Sequence, residues 1–269
     1  MRAGKAGART LGPVAAVVAA ATLAAPRAVA CQEAPVAAPE SALPDGAYAS
    51  RWRVSSRARL RPDNRYVRTI TTSLLLHHVT NAEGKARVSS RYCAVVQAPL
   101  GRVRTTLGPA FIASMPEWEE EATVRGPECG PWTVELPEHE EVLGARLSDP
   151  GESLPTNGDD PRVIDSDGDG HPGFTVEVEG FVDGQVYMVQ RLSRGLRGTL
   201  RPDGRMSGSV SGTGQQEVVG ASNAILETFT PRFEHDPDTS RSTFVWVPVA
   251  ANVTCPDVVA AESDLFGED

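Results

Sequence analysis

Aromatic residues make up only 6% of this 269-residue chain and charged residues 23%, against 40% hydrophobic residues. That balance excludes a disordered polyanion and supplies one large domain or two small ones. Basic side chains are in deficit, 26 Lys and Arg against 35 Asp and Glu. Four of them, Arg2, Lys5, Arg9 and Arg27, fall in the first 30 residues, which hold no acid; without that stretch 22 basic side chains face 35 acidic ones, a net charge of -13. This sign disfavours nucleic acid as a partner. Beyond residue 30 no apolar run approaches the roughly 20 residues that a membrane-crossing helix needs.

Catalytic signatures are also few. His139 lies in Glu138-His139-Glu140-Glu141 with no second histidine four residues on, so the H-E-x-x-H zinc motif is absent. Gly208-Ser209-Val210-Ser211-Gly212 centres on valine, which excludes a nucleophile elbow. Adjacent His77 and His78 in an expected strand point to opposite faces and cannot share an ion. The acids between Glu117 and Glu121 suit a solvated helix face better than a glycosidase pair, whose carboxylates stand roughly 5–9.5 Å apart. Cysteines at 31, 93, 129 and 255 show no metal-ligand spacing and read as disulfide formers, with the pairing left open.

The N-terminus carries targeting information. Met1 to Arg9 is basic, Leu11 to Ala25 is mostly apolar, and Ala28-Val29-Ala30 places small residues before Cys31, so residues 1–30 read as a secretory signal peptide. Cys31 in that position resembles the lipid-bearing cysteine of bacterial exported lipoproteins. The resemblance implies a lipid anchor as the sole membrane attachment, with an outer-membrane, periplasmic or secreted location. Residues 31–44, rich in Pro and Ala, read as a tether without a core. A β-rich domain over 45–256 and an acidic tail over 257–269 complete the expected layout.

Alternation dominates that domain. Trp52, Val54, Ala58 and Leu60 alternate with arginines, which predicts a half-buried strand with an arginine outer face. Pro62-Asp63-Asn64 then turns the chain into a strand through Tyr66 to Val79. Lys85 to Gln97 alternates again, placing Val88, Tyr92, Ala94 and Val96 together. Strands are expected at 174–179, 186–192, 196–200 and 206–210, and at 242–249. Short helices are expected over Ser114 to Thr123 and at Pro137 to Leu143. Two Leu-Arg-Pro-Asp hairpins 140 residues apart hint at duplicated halves. The pattern implies an all-β antiparallel barrel or sandwich with one or two short helices, and resembles the meander of small lipocalin-like barrels, whose interiors take small apolar ligands.

One motif carries ion chemistry. Asp165-Ser166-Asp167-Gly168-Asp169-Gly170 resembles the DxDxDG calcium loops of EF-hands, thrombospondin type 3 repeats and integrin β-hairpins. Alternate carboxylates in a tight loop can surround a hard cation, Gly170 permits the bend, and the His171 carbonyl would supply a further oxygen. The EF-hand acid is missing, since Val176 occupies its position; Asp159, Asp160, Glu177 and Asp183 are the candidates to complete a calcium shell.

Charge is segregated: residues 46–115 hold 12 basic side chains and two acids, while 116–183 hold 19 acids and three arginines. Either the two segments neutralise each other or the arginine face meets an anionic envelope surface. The expected function is a non-enzymatic, envelope-exposed β-barrel protein, lipid-anchored, with a structural calcium loop. A secreted glycan hydrolase acting through carboxylates and an adhesion or scaffold module are the alternatives.

Overall fold

The computed structural model describes residues 36–37, 43–59, 65–126 and 131–267. The signal-peptide segment, Cys31, most of the tether, the first hairpin turn and Cys129 lie outside the described residues. In chain order the strands are β1 (Val36–Ala37), β2 (Gly46–Arg59), β3 (Tyr66–Ala82), β4 (Lys85–Gln97), β5 (Arg104–Leu107), β6 (Trp118–Gly126), β7 (Trp132–Leu143), β8 (Phe174–Glu179), β9 (Gly184–Leu200), β10 (Met206–Ala221), β11 (Arg232–His235) and β12 (Thr243–Val249). The helices are α1 (Pro109–Ser114), α2 (Ala224–Phe229), α3 (Cys255–Ala260) and α4 (Glu262–Phe266).

All ladders between these strands are antiparallel, and eight strands close into a ring: β2, β3, β4, β6, β7, β9, β10, β12 and back to β2. It is not a regular barrel, because its long strands outrun it. β9 pairs β7 through Gln190–Leu200 and then β8 through Gly184–Met188. β2 likewise pairs β12 through Ala47–Arg53 and β11 through Ser56–Arg59. β5 extends the sheet beyond β8. The long strands therefore serve two tiers, one closed by β6, β7 and β12, the other bounded by β5, β8 and β11.

Local chemistry sets the corners. Glu83 (φ 53°) and Gly84 (φ 76°) form a two-residue turn with both residues left-handed, the geometry that matches strand twist. Pro202-Asp203-Gly204 turns β9 into β10, with Gly204 at φ 79° and the Asp203 carboxylate accepting from Arg205 N–H at 3.1 Å.

The closed tier is filled by Trp52, Trp118, Trp246, Tyr48, Phe244 and Leu200, among others. Fully burying side chains of this size contributes roughly 1.5–3 kcal/mol each. His77 lies in the same tier with no exposed surface, its ring stacked on Trp246 at 4.0 Å and hydrogen-bonded to Ser50 Oγ (2.6 Å) and Ser90 Oγ (2.7 Å). His77 is thus a structural histidine with both ring nitrogens hydrogen-bonded. The open tier holds a second cluster around Phe111, Phe174, Met188 and Leu192. Outside the ring, the long loop 144–173 lays Ala145, Leu154 and Val163 on Tyr187, Val189 and Val219. Val258 of α3 covers Leu74 and Leu76, and a Cys93–Cys255 disulfide ties α3 to β4. The segment read as an acidic tail thus supplies a buried side chain, and Leu43, assigned to the tether, is 1% exposed.

Several sequence expectations are corrected. Ser114 to Thr123 is not a helix: α1 ends at Ser114 and β6 starts at Trp118. Trp118, Glu120, Ala122 and Val124 share one face, and the inward glutamate conceals the alternation. Pro137 to Leu143 belongs to β7, where a register shift between Leu136 and His139 breaks the period of two. The strands expected at 186–192 and 196–200 are one 17-residue strand. In β4 a bulge beside Cys93 reverses the faces, so Tyr92 points into the core while Val96 is 62% exposed.

Candidate functional site

The open tier contains a cavity of about 620 Å³. Its walls come from β8 and β9 (Phe174, Val176, Val186, Met188), with β5 and α1 beside them (Leu107, Phe111). Alternation makes this surface: β9 sends Val186, Met188, Gln190, Leu192 and Arg194 inward while Tyr187 and Val189 meet the outer loop. Beyond Val210, β10 pairs only with β9 among the described residues, so the side facing β11 has no ladder across it. Phe181, 80% exposed, and Ile225, 53% exposed, stand at the margin of this cavity.

Polar groups gather at the inner end. Arg194 Nη1 donates to Tyr92 Oη at 2.6 Å, and Tyr92 Oη donates to Glu141 Oε1 at 3.0 Å. Glu141 Oε1 lies 4.0 Å from Arg194 Nη1, and both side chains are largely buried. Burial, assisted by Glu141, pushes the Tyr92 phenol up, against the pull of Arg194, so it stays protonated and can donate. His235 reaches the same cavity from β11, and its Nδ1 is buried without a partner. Burial, and then the nearby Arg194 charge, holds the His235 pKa below its ordinary value. None of Tyr92, Glu141, Arg194 and His235 stood out in the sequence. Each sits at an unremarkable position in an alternating strand, and only ring closure brings together residues 41 to 143 positions apart.

Glu120 is the other inward acid missed by sequence. Burial raises it to about 7, against the hydrogen bond from Trp118 Nε1 at 3.1 Å, and its Oε1 is buried without a partner. Its neighbours Glu117, Glu119 and Glu121 face outward and meet Arg91 (3.7 Å), Arg87 (3.9 Å) and Lys85 (2.9 Å) across the β4–β6 ladder. The acidic and basic segments are thus neutralised against each other here, at small gain because the pairs are exposed.

The aspartate loop lies outside the ring. Carboxylate oxygens of Asp165, Asp167 and Asp169 fall within 4.8 Å of one another. Oxygens bound to one calcium at about 2.3–2.6 Å would be separated by no more than about twice that distance. Asp165 accepts from Gly168 N–H (2.7 Å), Asp169 N–H (3.2 Å) and Gly170 N–H (2.9 Å). Burial pulls its pKa upward, but those donors outweigh it and hold the carboxyl below its ordinary range. Asp167 shifts the other way: burial, then the neighbouring Asp169 and Asp165 charges, raise it despite its bond from Thr175 N–H at 2.8 Å. Asp167 Oδ1 is buried with no protein donor, and a hard cation there would relieve the mutual repulsion, so the residues fit the ion.

Several other candidate ligands have protein partners of their own. His171 donates its N–H to Asp169 Oδ1 at 2.9 Å and stacks its ring on Tyr187 at 4.3 Å. Asp160 is bound to Arg162 (2.6 Å), Glu177 to Gln185 (2.7 Å) and Asp183 to Gly180 N–H (2.8 Å). The loop is joined to the cavity wall through Thr175, whose N–H and hydroxyl are held by Asp167 and Asp169 between the lining residues Phe174 and Val176. Gly173 (φ 82°) makes this possible, because a side chain there would overlap the Met188 carbonyl.

No family model, curated protein or solved structure matches the chain. No helix among the described residues is long and apolar enough to cross a membrane.

Proposed function

We propose that the protein is an exported, non-enzymatic binding protein that carries a small apolar ligand in its open tier. The cavity of about 620 Å³, walled mainly by aliphatic and aromatic side chains, carries this reading. Its size falls within the roughly 300–1,000 Å³ of small-molecule sites, and among the described residues its ionisable lining groups are Arg194, Glu234 and His235. The cysteine at 31 tethers the protein to the envelope by a lipid, and the aspartate loop binds calcium structurally, bracing the start of β8 and with it one wall of the cavity.

Titration with N-phenyl-1-naphthylamine, a neutral dye that brightens in apolar surroundings, tests the binding function. The expected result is saturation at one dye per chain, with weakened binding in Val176→Trp, whose indole occupies part of the cavity. Linear, non-saturating fluorescence in the parent protein would remove the basis for ligand carriage.

A further inference from the structure

Resting on the reading of the open tier as an apolar cup, we infer that its ligand is a single-chain amphiphile with a carboxylate head, received between Arg194 and His235. Three observations converge on this class.

The first is size. At about 30 Å³ for each water-sized group, a cavity of about 620 Å³ accommodates on the order of twenty heavy atoms, the bulk of a long-chain fatty acid. The second is polarity. Among the described residues, the ionisable groups of the lining are Arg194, His235 and Glu234. Glu234 belongs to the outer face of β11, where it is paired with Arg57 at 3.4 Å. The inward pair therefore forms the ionisable part of the lining, whereas the wall at Val176, Met188 and Leu192 is mainly apolar, with the neutral Gln190 among it.

The third is unused hydrogen-bonding capacity. A guanidinium presents five N–H groups in a planar fork suited to a carboxylate. Tyr92 Oη takes one of them, and Glu141 stands off at 4.0 Å. The His235 ring lines the same cavity and adds a second polar group to that end. A carboxylate head would accept from the Arg194 N–H groups that Tyr92 leaves free. Glu141 does not repel such a head strongly, because Tyr92 already donates to it and it lies outside the lining.

The inference separates from the cup itself in a competition experiment. Hexadecanoate and its methyl ester, alike in chain and different in head charge, are each used to displace bound N-phenyl-1-naphthylamine. The parent protein is expected to prefer the acid by about ten- to a hundred-fold, the range set by hydrogen bonds to a charged group. Removing Arg194 alone would strand the buried Glu141 charge, so the variant is the double Arg194→Met/Glu141→Gln, with His235→Phe as an independent second. In both, affinity for the acid should drop towards that of the ester, while ester affinity, which reports an intact cup, stays within about two-fold. Equal affinity for acid and ester in the parent protein, or an acid preference that survives both variants, would overturn the head-group assignment and leave the apolar cup standing. Failure of the dye and both lipids to bind would remove the cup and the assignment together.

Discussion

The enclosed imidazole of His77 predicts a specific dependence of stability on pH. Burial, and secondarily the neighbouring His78, lowers its pKa from 6.5 to about 3. Between those values the unfolded chain binds a proton that the folded chain refuses. Stability is therefore complete above the unfolded pKa and falls as pH drops through the window from 6.5 towards 3. The slope approaches about 1.4 kcal/mol per pH unit, and the loss between pH 8 and pH 5 is about 2 kcal/mol. Carboxylates contribute in the lower part of this window, so the informative quantity is the difference from His77→Gln, which keeps a polar group between Ser50 and Ser90 but cannot charge. Urea unfolding followed by the fluorescence of buried Trp52 and Trp246 provides the assay. At pH 8 the variant should be less stable by about 1–2 kcal/mol, from a poorer fit and the lost stack on Trp246. At pH 5 that gap should close or invert. Parallel stability curves for the two proteins would refute the argument that His77 is held neutral.

The remaining predictions concern the staples of the fold. Gly173→Ala places a methyl group against the Met188 carbonyl at positive φ, and a loss of at least about 1–3 kcal/mol in chemical unfolding is expected; an unchanged midpoint would mean that the loop does not rejoin β9 as described. The Cys93–Cys255 bond spans 162 residues, so the double serine variant should be destabilised by about 5 kcal/mol on the chain-entropy scale, measured against the parent under non-reducing conditions. Calcium should raise the melting temperature and chelator should reverse it, with the response abolished in Asp167→Ala; absence of any shift in the parent protein would dismiss the ion.

Much of the architecture is legible in the sequence because along many strands one face is more deeply buried than the other. Trp52 and Val54 alternating with arginines make β2 plain, and Pro202-Asp203-Gly204 marks the β9–β10 corner without ambiguity. The failures share a cause. Wherever a polar side chain turns inward, as Glu120 does in β6, or an extra residue shifts the register, as beside Cys93 and between Leu136 and His139, the period of two is interrupted locally. Short acidic runs then resemble helical faces. The aspartate loop is visible because its three carboxylates alternate within five residues, whereas its link to the cavity through Thr175 depends on how loop 144–173 folds back. The polar end of the cavity was invisible for a stronger reason: Tyr92, Glu141, Arg194 and His235 acquire meaning only through ring closure, and no local spacing encodes it.

The claim on which the functional account turns is that the open tier, and not the filled one, receives a ligand. Methyl-resolved NMR during titration with hexadecanoate tests it directly, since Val176, Met188 and Leu192 line the cavity while Val88 and Leu200 are buried in the closed tier. The account predicts saturable shifts at the first three with the last two nearly unmoved. Shifts spread evenly over both tiers, or none at the cavity methyls at saturating lipid, would contradict it.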